Sequence, residues 1–346
     1  MYHVATQTNA SKIAGLGAVG LIVLGIILPA FASRTLIQDL FFILSMLTLA
    51  QFWNLLAGYG GLVSVGQQAF VGLGAYAMFG GVILWGMDPV AALVLSGIVA
   101  TVIAVPTAFF AFRLQGAYFA IGTWVVAEVV RLCMATWKAL GGGTGTSLPR
   151  TANDFWGTSW VESLFDVSAA AARDIVTYWL ALALSVVTTF GIYALLRSRR
   201  GLALAALRDN FEAAKSVGVD AGRMKWFVFL VAAFGTGIAG GLIYLQKSRI
   251  SPDAAFSVTD WTAYVIFIVV IGGIGTIEGP IIGVLVFFVL QNMLSDFGSW
   301  YLMILGGLGI VVMLFAPRGL WGLFSARTGL HLFPIRRRLI LRKGED

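Results

Sequence analysis

Apolar residues do not alternate with polar ones along this chain; they run in long blocks separated by short polar intervals. Blocks of spanning length fall at 13–32, 36–57, 69–86, 90–112, 117–134, 176–196, 226–246, 262–278, 280–297 and 299–316. A helix needs ~20 mostly apolar residues to cross the hydrocarbon core. The pattern therefore predicts an all-α integral membrane protein with about ten transmembrane helices in one domain. The run from Ile13 to Ala32 is longer than the core of a secretory signal and reads as a retained first span.

The longest polar intervals are 135–175, 197–225 and the tail 317–346. Segment 197–225 carries seven basic residues against three acids, and the tail carries seven more, including Arg336, Arg337 and Arg338. Basic loops stay in the cytoplasm, so both belong on one side, which needs an even number of spans between them. The blocks supply four, within 226–316. Segment 135–175, with three basic residues (Lys138, Arg150, Arg173) against four acids, lies across the single span 176–196 and is expected outside. Counting back through the five spans of 13–134 places the N-terminus inside. Tyr178, Trp179, Trp226, Trp300, Tyr301 and Trp321 fall near span ends, where amphipathic rings favour the interface.

Within 197–225, Leu204, Leu207, Phe211, Ala214 and Val217 recur at spacings of three and four. That spacing predicts a short amphipathic helix over 203–217, with Arg208, Asp209, Glu212, Lys215 and Ser216 on its polar face and Gly218 ending it. It reads equally as a docking element or as a helix lying on the membrane surface.

Composition narrows the class. Hydrophobic residues make up 59% of the 346 residues and charged ones 11%, with a mean hydropathy of +0.90. Soluble domains are nearer a quarter charged. The net charge of +7 is absorbed by the topology signal, and nucleic acid is not an expected partner. Cys133 is the single cysteine, and His3 and His331 lie outside the apolar blocks, so no metal site and no catalytic residue is expected. A membrane enzyme would need a polar cluster that the blocks lack. Gly141, Gly142, Gly143 and Gly145 resemble a phosphate loop only superficially, since no glycine is followed by Lys and then Ser or Thr. Two readings remain for that stretch, a flexible external loop or a contact for a delivering protein.

Three polar features lie within the apolar blocks. From Asn54 to Gln68 the chain places Gly58, Gly60, Gly61 and Gly66 beside Ser64, Gln67 and Gln68, a composition that permits close helix approach and an interrupted helix. Irregular backbone at membrane depth is tolerated only where protein or a water-filled cavity satisfies it. The segment reads either as pathway lining or as a packed turn. Gly272, Gly273 and Thr276 echo Gly60, Gly61 and Ser64, and paired glycine interruptions in two halves point to a binding region at a repeat interface. Glu128 is the ionisable residue deepest in a span; Arg131 lies one turn on, giving a structural pair or a polar contact in the pathway.

Glu212-Ala213-Ala214 followed by Gly218 is an EAA-x-x-x-G string, which resembles the loop by which bacterial ABC importer permeases engage their ATPases. The resemblance covers nearly the whole chain and is most specific to LivM-like permeases of branched-chain amino acid importers. It is carried by Asn54 to Phe70 with Gly72 and Gly74-Ala75-Tyr76, by Arg113 to Ala120 with Glu128, by Gly272 to Thr276 with Gly279-Pro280, and by Ala316 to Leu320. It implies an importer permease bundle in the bacterial inner membrane with both termini cytoplasmic. Arg208, Glu212, Ala213, Ala214 and Gly218 would couple it to ATPases. Asn54, Ser64, Gln67, Gln68, Tyr118, Glu128, Gly272, Gly273 and Thr276 are the candidate pathway residues. The implied partners are a second homologous permease, two ATP-binding ABC subunits that use ATP and Mg, an external substrate-binding protein and membrane lipid, with no cofactor in this chain. Urea, amides or other amino acids are alternative solutes. A secondary transporter working alone would need buried titratable groups, for which only Glu128 and Glu278 qualify.

Overall fold

The structure is a computed structural model that describes residues 2–5, 9–149, 152, 154–294, 297–298, 300–330, 332–334 and 338–341. Arg150, His331, Arg336 and Arg337 lie outside the described residues, and so do the side chains of Phe211, Glu212 and Arg338.

Each of the ten apolar blocks is a helix. They are α1 (Asn9–Ile27), α2 (Arg34–Asn54), α3 (Gln67–Trp85), α4 (Pro89–Ala111), α5 (Ala117–Ala135), α7 (Ala169–Arg197), α10 (Ala221–Lys247), α12 (Tyr264–Gly272), α13 (Glu278–Leu294) and α14 (Trp300–Phe315). Among the described residues nine segments are long and apolar enough to cross a membrane, and α13 is a shorter tenth. Shorter helices complete the chain: α6 (Thr158–Phe165), α8 (Arg199–Asp209), α9 (Phe211–Ser216), α11 (Pro252–Ala255) and α15 (Gly319–Thr328).

The two most buried helices, α3 and α10, meet through glycine. Of the most apolar stretch of α3 and of α10, 78% is buried, and 67% for α2, against 17% for α5 and 11% for α1. A Cβ added to Gly74 of α3 would lie 2.7 Å from the Gly237 Cα of α10, so the two backbones touch as only glycines allow. Peripheral α1 is held differently. Pro29 has no N–H for the Gly25 carbonyl, and the Tyr178 hydroxyl of α7 donates to it instead at 2.9 Å. Trp179 Nε1 donates to the Ile26 carbonyl at 3.1 Å. These two rings, expected at the interface, tie α1 to α7.

Two predicted connections differ. The helix expected over 203–217 is two helices, broken at Asn210, whose extended backbone ends α8 and whose Oδ1 accepts from the Ala213 N–H at 3.0 Å as the cap of α9. Asparagine competes with the helix backbone in this way wherever a cap is within reach. The glycines 141–145, one reading of which was a flexible loop, are anchored: Thr146–Ser147 (β1) pairs antiparallel with Arg249–Ile250 (β2).

The segment after α2 turns back on itself. Helix α2 continues as a π-helical turn, Leu55–Tyr59, and the chain then climbs beside it. The Leu62 N–H donates to the Leu56 carbonyl (2.9 Å), Trp53 Nε1 to the Ser64 carbonyl (2.8 Å) and Gln67 Nε2 to the Leu49 carbonyl (2.9 Å). Ten helical residues separate Leu49 from Tyr59, so α3 starts ~15 Å up the α2 axis from the turn. Residues 60–66 thus run back along α2, and Val65 N–H is satisfied by the Thr123 hydroxyl of α5 at 3.1 Å.

Candidate functional site, a glycine break gripped by a basic helix

Chain between α12 and α13 cannot be helical: Gly273 (φ 134) and Gly275 (φ 74) adopt positive φ, a region that glycine alone enters freely. The backbone groups this break exposes are taken up by α2. Asn54 Oδ1 accepts from the Gly275 N–H at 2.7 Å, Asn54 Nδ2 donates to the Thr276 carbonyl at 2.7 Å, and Gln51 Nε2 donates to the Ile277 carbonyl at 2.9 Å. Asn54 and Gln51 are fully buried, one turn apart on one face of an otherwise apolar helix. Gly58 completes the join, since a Cβ there would sit 2.6 Å from the Gly275 nitrogen. The break that echoes Gly60-Gly61 is thus held by Asn54 and Gly58, just ahead of those glycines in the chain.

Beneath this join lies a cavity of about 400 Å³, lined by Ala57 to Gly61, Leu204, Leu207, Arg208, Met224, Lys225 and Ile274. The pattern places Arg208 on the polar face of a free helix; instead its guanidinium reaches the break, and a Cβ on Gly275 would meet Nη1 at 2.5 Å. Arg318 also arrives here: its carbonyl would lie 3.0 Å from a Cβ on Gly273. The basic loop and the start of the basic tail therefore share one face of the bundle. Farther along the tail, the buried carboxylate of Glu278 accepts from the N–H groups of Leu332 (3.1 Å) and Phe333 (2.9 Å).

The remaining candidates divide. Ser64, Gln67 and Gln68 are buried. Ser64 Oγ accepts from the Gly66 N–H at 3.2 Å, and Gln68 Oε1 accepts from the Thr262 hydroxyl. Thr262, on the π-helical turn Thr259–Ala263 that leads into α12, was not singled out from the sequence; nor were Gln51, Thr123 or Lys225. Only Gln51 had a readable signal, a second carboxamide three residues before Asn54. Gly272 and Gly273 form the break itself, and Thr276 Oγ1 accepts from the Gly279 N–H at 3.1 Å. Glu128 and Tyr118 do not join the cluster. Glu128 pairs with Arg131, which also binds Asp253 at 2.6 Å near α11. Tyr118 is 74% exposed on the first turn of α5. Ala214 is buried, while Ala213 and Gly218 are exposed, Gly218 with φ 89.

A bundle of apolar helices around a segment that runs back along α2, with strands of the chain 50, 200 and 270 residues along meeting at one basic cavity, has the form of a multi-pass membrane permease. Comparison with known families makes this specific. The family described as "Branched-chain amino acid transport system / permease component" matches residues 35–314, and the chain belongs to it. It is 29% identical over 320 residues to the high-affinity branched-chain amino acid transport system permease protein LivM of Escherichia coli K12, covering 87% of this chain and 73% of the relative. It is 25% identical over 205 residues to a probable LivM of Methanocaldococcus jannaschii, covering 59% and 54%. It is also 32% identical over 138 residues to the ribose import permease protein RbsC of Haemophilus influenzae, covering 38% and 43%. No solved structure matches.

Proposed function

We propose that this chain forms the transmembrane pathway of an ATP-driven importer for branched-chain amino acids in a bacterial inner membrane, with both termini and the 197–225 loop in the cytoplasm. The observation that carries the reading is the contact of Arg208 with the Gly275 break, because it joins a short surface helix to backbone held inside the membrane. ATPase subunits docked on α8 and α9 would move Arg208, and the break would carry that motion to α2 through Asn54 and Gln51. Glu212, Ala213, Ala214 and Gly218 belong to the docking surface in this reading. ATP and Mg act on two partner ATPases. A second, homologous permease completes the pathway, and an external binding protein delivers the solute.

A solute other than a branched-chain amino acid is the second reading, and the similarity to a ribose import permease supports it. The secondary-transporter alternative draws no support from its two candidate groups: Glu128 is held by Arg131 and Glu278 by the tail. The test is competition for ATP-dependent uptake by the reconstituted complex. Unlabelled leucine, isoleucine and valine are expected to suppress uptake of labelled leucine, whereas urea, acetamide and ribose are not. Uptake driven by an ion gradient without ATPases would overturn the reading.

A further inference from the structure

At the other end of α2 lies a second cavity, of about 270 Å³, that none of the residues discussed so far explains. It is lined by residues of α2, the last turn of α10 and the turn before α12, among them Phe42, Ser45, Met46, Gln246, Lys247 and Trp261. The volume is just under the ~300–1,000 Å³ of pockets that hold drug-sized ligands, so it suits a solute of amino acid size.

Besides Gln38, whose amide donates to Asp174, three polar features sit among its apolar walls. The Lys247 ammonium faces the rings of Trp261 at 4.8 Å and Tyr244 at 5.3 Å. Among the described residues no carboxylate lies within ion-pair distance of it, although the charge of Asp260 reaches it. The buried oxygens Ser45 Oγ and Gln246 Oε1 have no hydrogen-bond partner, and buried polar atoms in native structures are rarely left so.

The orientation of the Gln246 amide follows from chemistry. Asp174, buried, accepts from Arg34 Nε (2.6 Å), Gln38 Nε2 (2.9 Å) and Gln246 Nε2 (3.3 Å). An ionised carboxylate only accepts, so it takes the nitrogen end of the Gln246 amide and leaves Oε1 free. The Arg34 guanidinium balances the Asp174 carboxylate, whose hold on the Gln246 nitrogen sets an acceptor at the cavity.

From this arrangement we infer that the α2–α10 cavity is a receiving site for a zwitterionic α-amino acid with an apolar side chain, placed at the expected outer end of the bundle. Lys247 takes the carboxylate, Gln246 Oε1 and Ser45 Oγ take the ammonium, and Phe42, Met46 and Trp261 take the side chain. The inference rests on the importer reading above and adds to it where the solute first touches this chain.

The test uses the full importer complex in proteoliposomes, with radiolabelled leucine at low concentration and uptake counted per assembled complex. Replacing Lys247→Gln removes a charge-assisted contact and is expected to cut uptake about tenfold, with Lys247→Arg retaining most of it and ATP hydrolysis unchanged. Ser45→Leu, which fills the cavity, is expected to have the larger effect. A diazirine analogue of leucine is expected to label peptides containing residues 38–46 or 243–247, and excess leucine to suppress that label. Wild-type uptake with unchanged uptake in Lys247→Gln and Ser45→Leu would overturn the site and leave the importer reading standing. Label that leucine does not compete, as for a lipid occupying the cavity, would do the same. A wild-type complex that takes up ribose or urea and no amino acid would overturn the importer reading and this ligand with it.

Discussion

The two ends of α2 face opposite chemistries. At one end, Gly58, Gly60 and Gly61 form one wall of a cavity closed by Leu204, Leu207, Met224, Lys225 and Ile274, and Arg208 reaches the broken helix at Gly275. At the other end, Phe41, Phe42 and Met46 line a cavity whose walls are side chains, and its cation, Lys247, stands against aromatic rings. Glycine-lined walls leave room for one segment to move on another. Aromatic and thioether walls instead grip an apolar group, because their area removes it from water. On the proposed reading, the difference separates a moving end from a holding end on one helix.

Variants can break that separation, and the sharpest acts where backbones touch. Gly58→Val would drive a branched side chain into the Gly275 nitrogen, which leaves only 2.6 Å for a Cβ. Uptake is expected to be lost, with the complex failing to copurify with its ATPases or arrested in one state; near-normal uptake would show that the join opens freely. Next in size is Arg208→Ala. It should lower uptake about tenfold while ATP hydrolysis continues, a split of the kind that marks lost coupling and not lost binding; equal losses of both would assign Arg208 to assembly. Asn54→Ala strands the Gly275 N–H and the Thr276 carbonyl, at about 1–3 kcal/mol for each buried unpaired group. A lower melting temperature of the purified complex is expected, measured with the half-saturating leucine concentration, which should stay unchanged if this end only moves. Trp261→Phe keeps a ring beside Lys247 and should do the opposite, raising half-saturation a few-fold, about 1 kcal/mol, with no change in coupling. The smallest effect belongs to Glu128→Gln. Its pair with Arg131 lies outside both ends, and Arg131 keeps Asp253 as the partner an intramembrane cation needs, so uptake should stay within roughly twofold.

How much of this was legible depended on whether the cause of a feature was local. The ten spans were, because a block of apolar residues dictates its own helix. So was the echo of Gly272-Gly273 with Gly60-Gly61, although not the contact that joins the segments. The climb of residues 60–66 beside α2 was hidden, since its backbone is satisfied by Trp53 and Thr123, side chains that carry no mark of that duty. Arg208 had the spacing of a solvent-facing residue; the break that it reaches lies 67 residues along the chain. The cavity beside Lys247 was hidden most completely. Lys247 has the look of a cation ending a span, Ser45 of a packing hydroxyl, and nothing along the chain says that Asp174 turns the Gln246 amide beside them.

Helix α1 is tied to the bundle by two hydrogen bonds from α7, lies largely outside the packed core and precedes the matched family region, which starts at residue 35. Its consequence is one of parity. On the proposed orientation α2 starts at the outer end of the bundle, and α1 supplies one crossing ahead of it without lining either cavity.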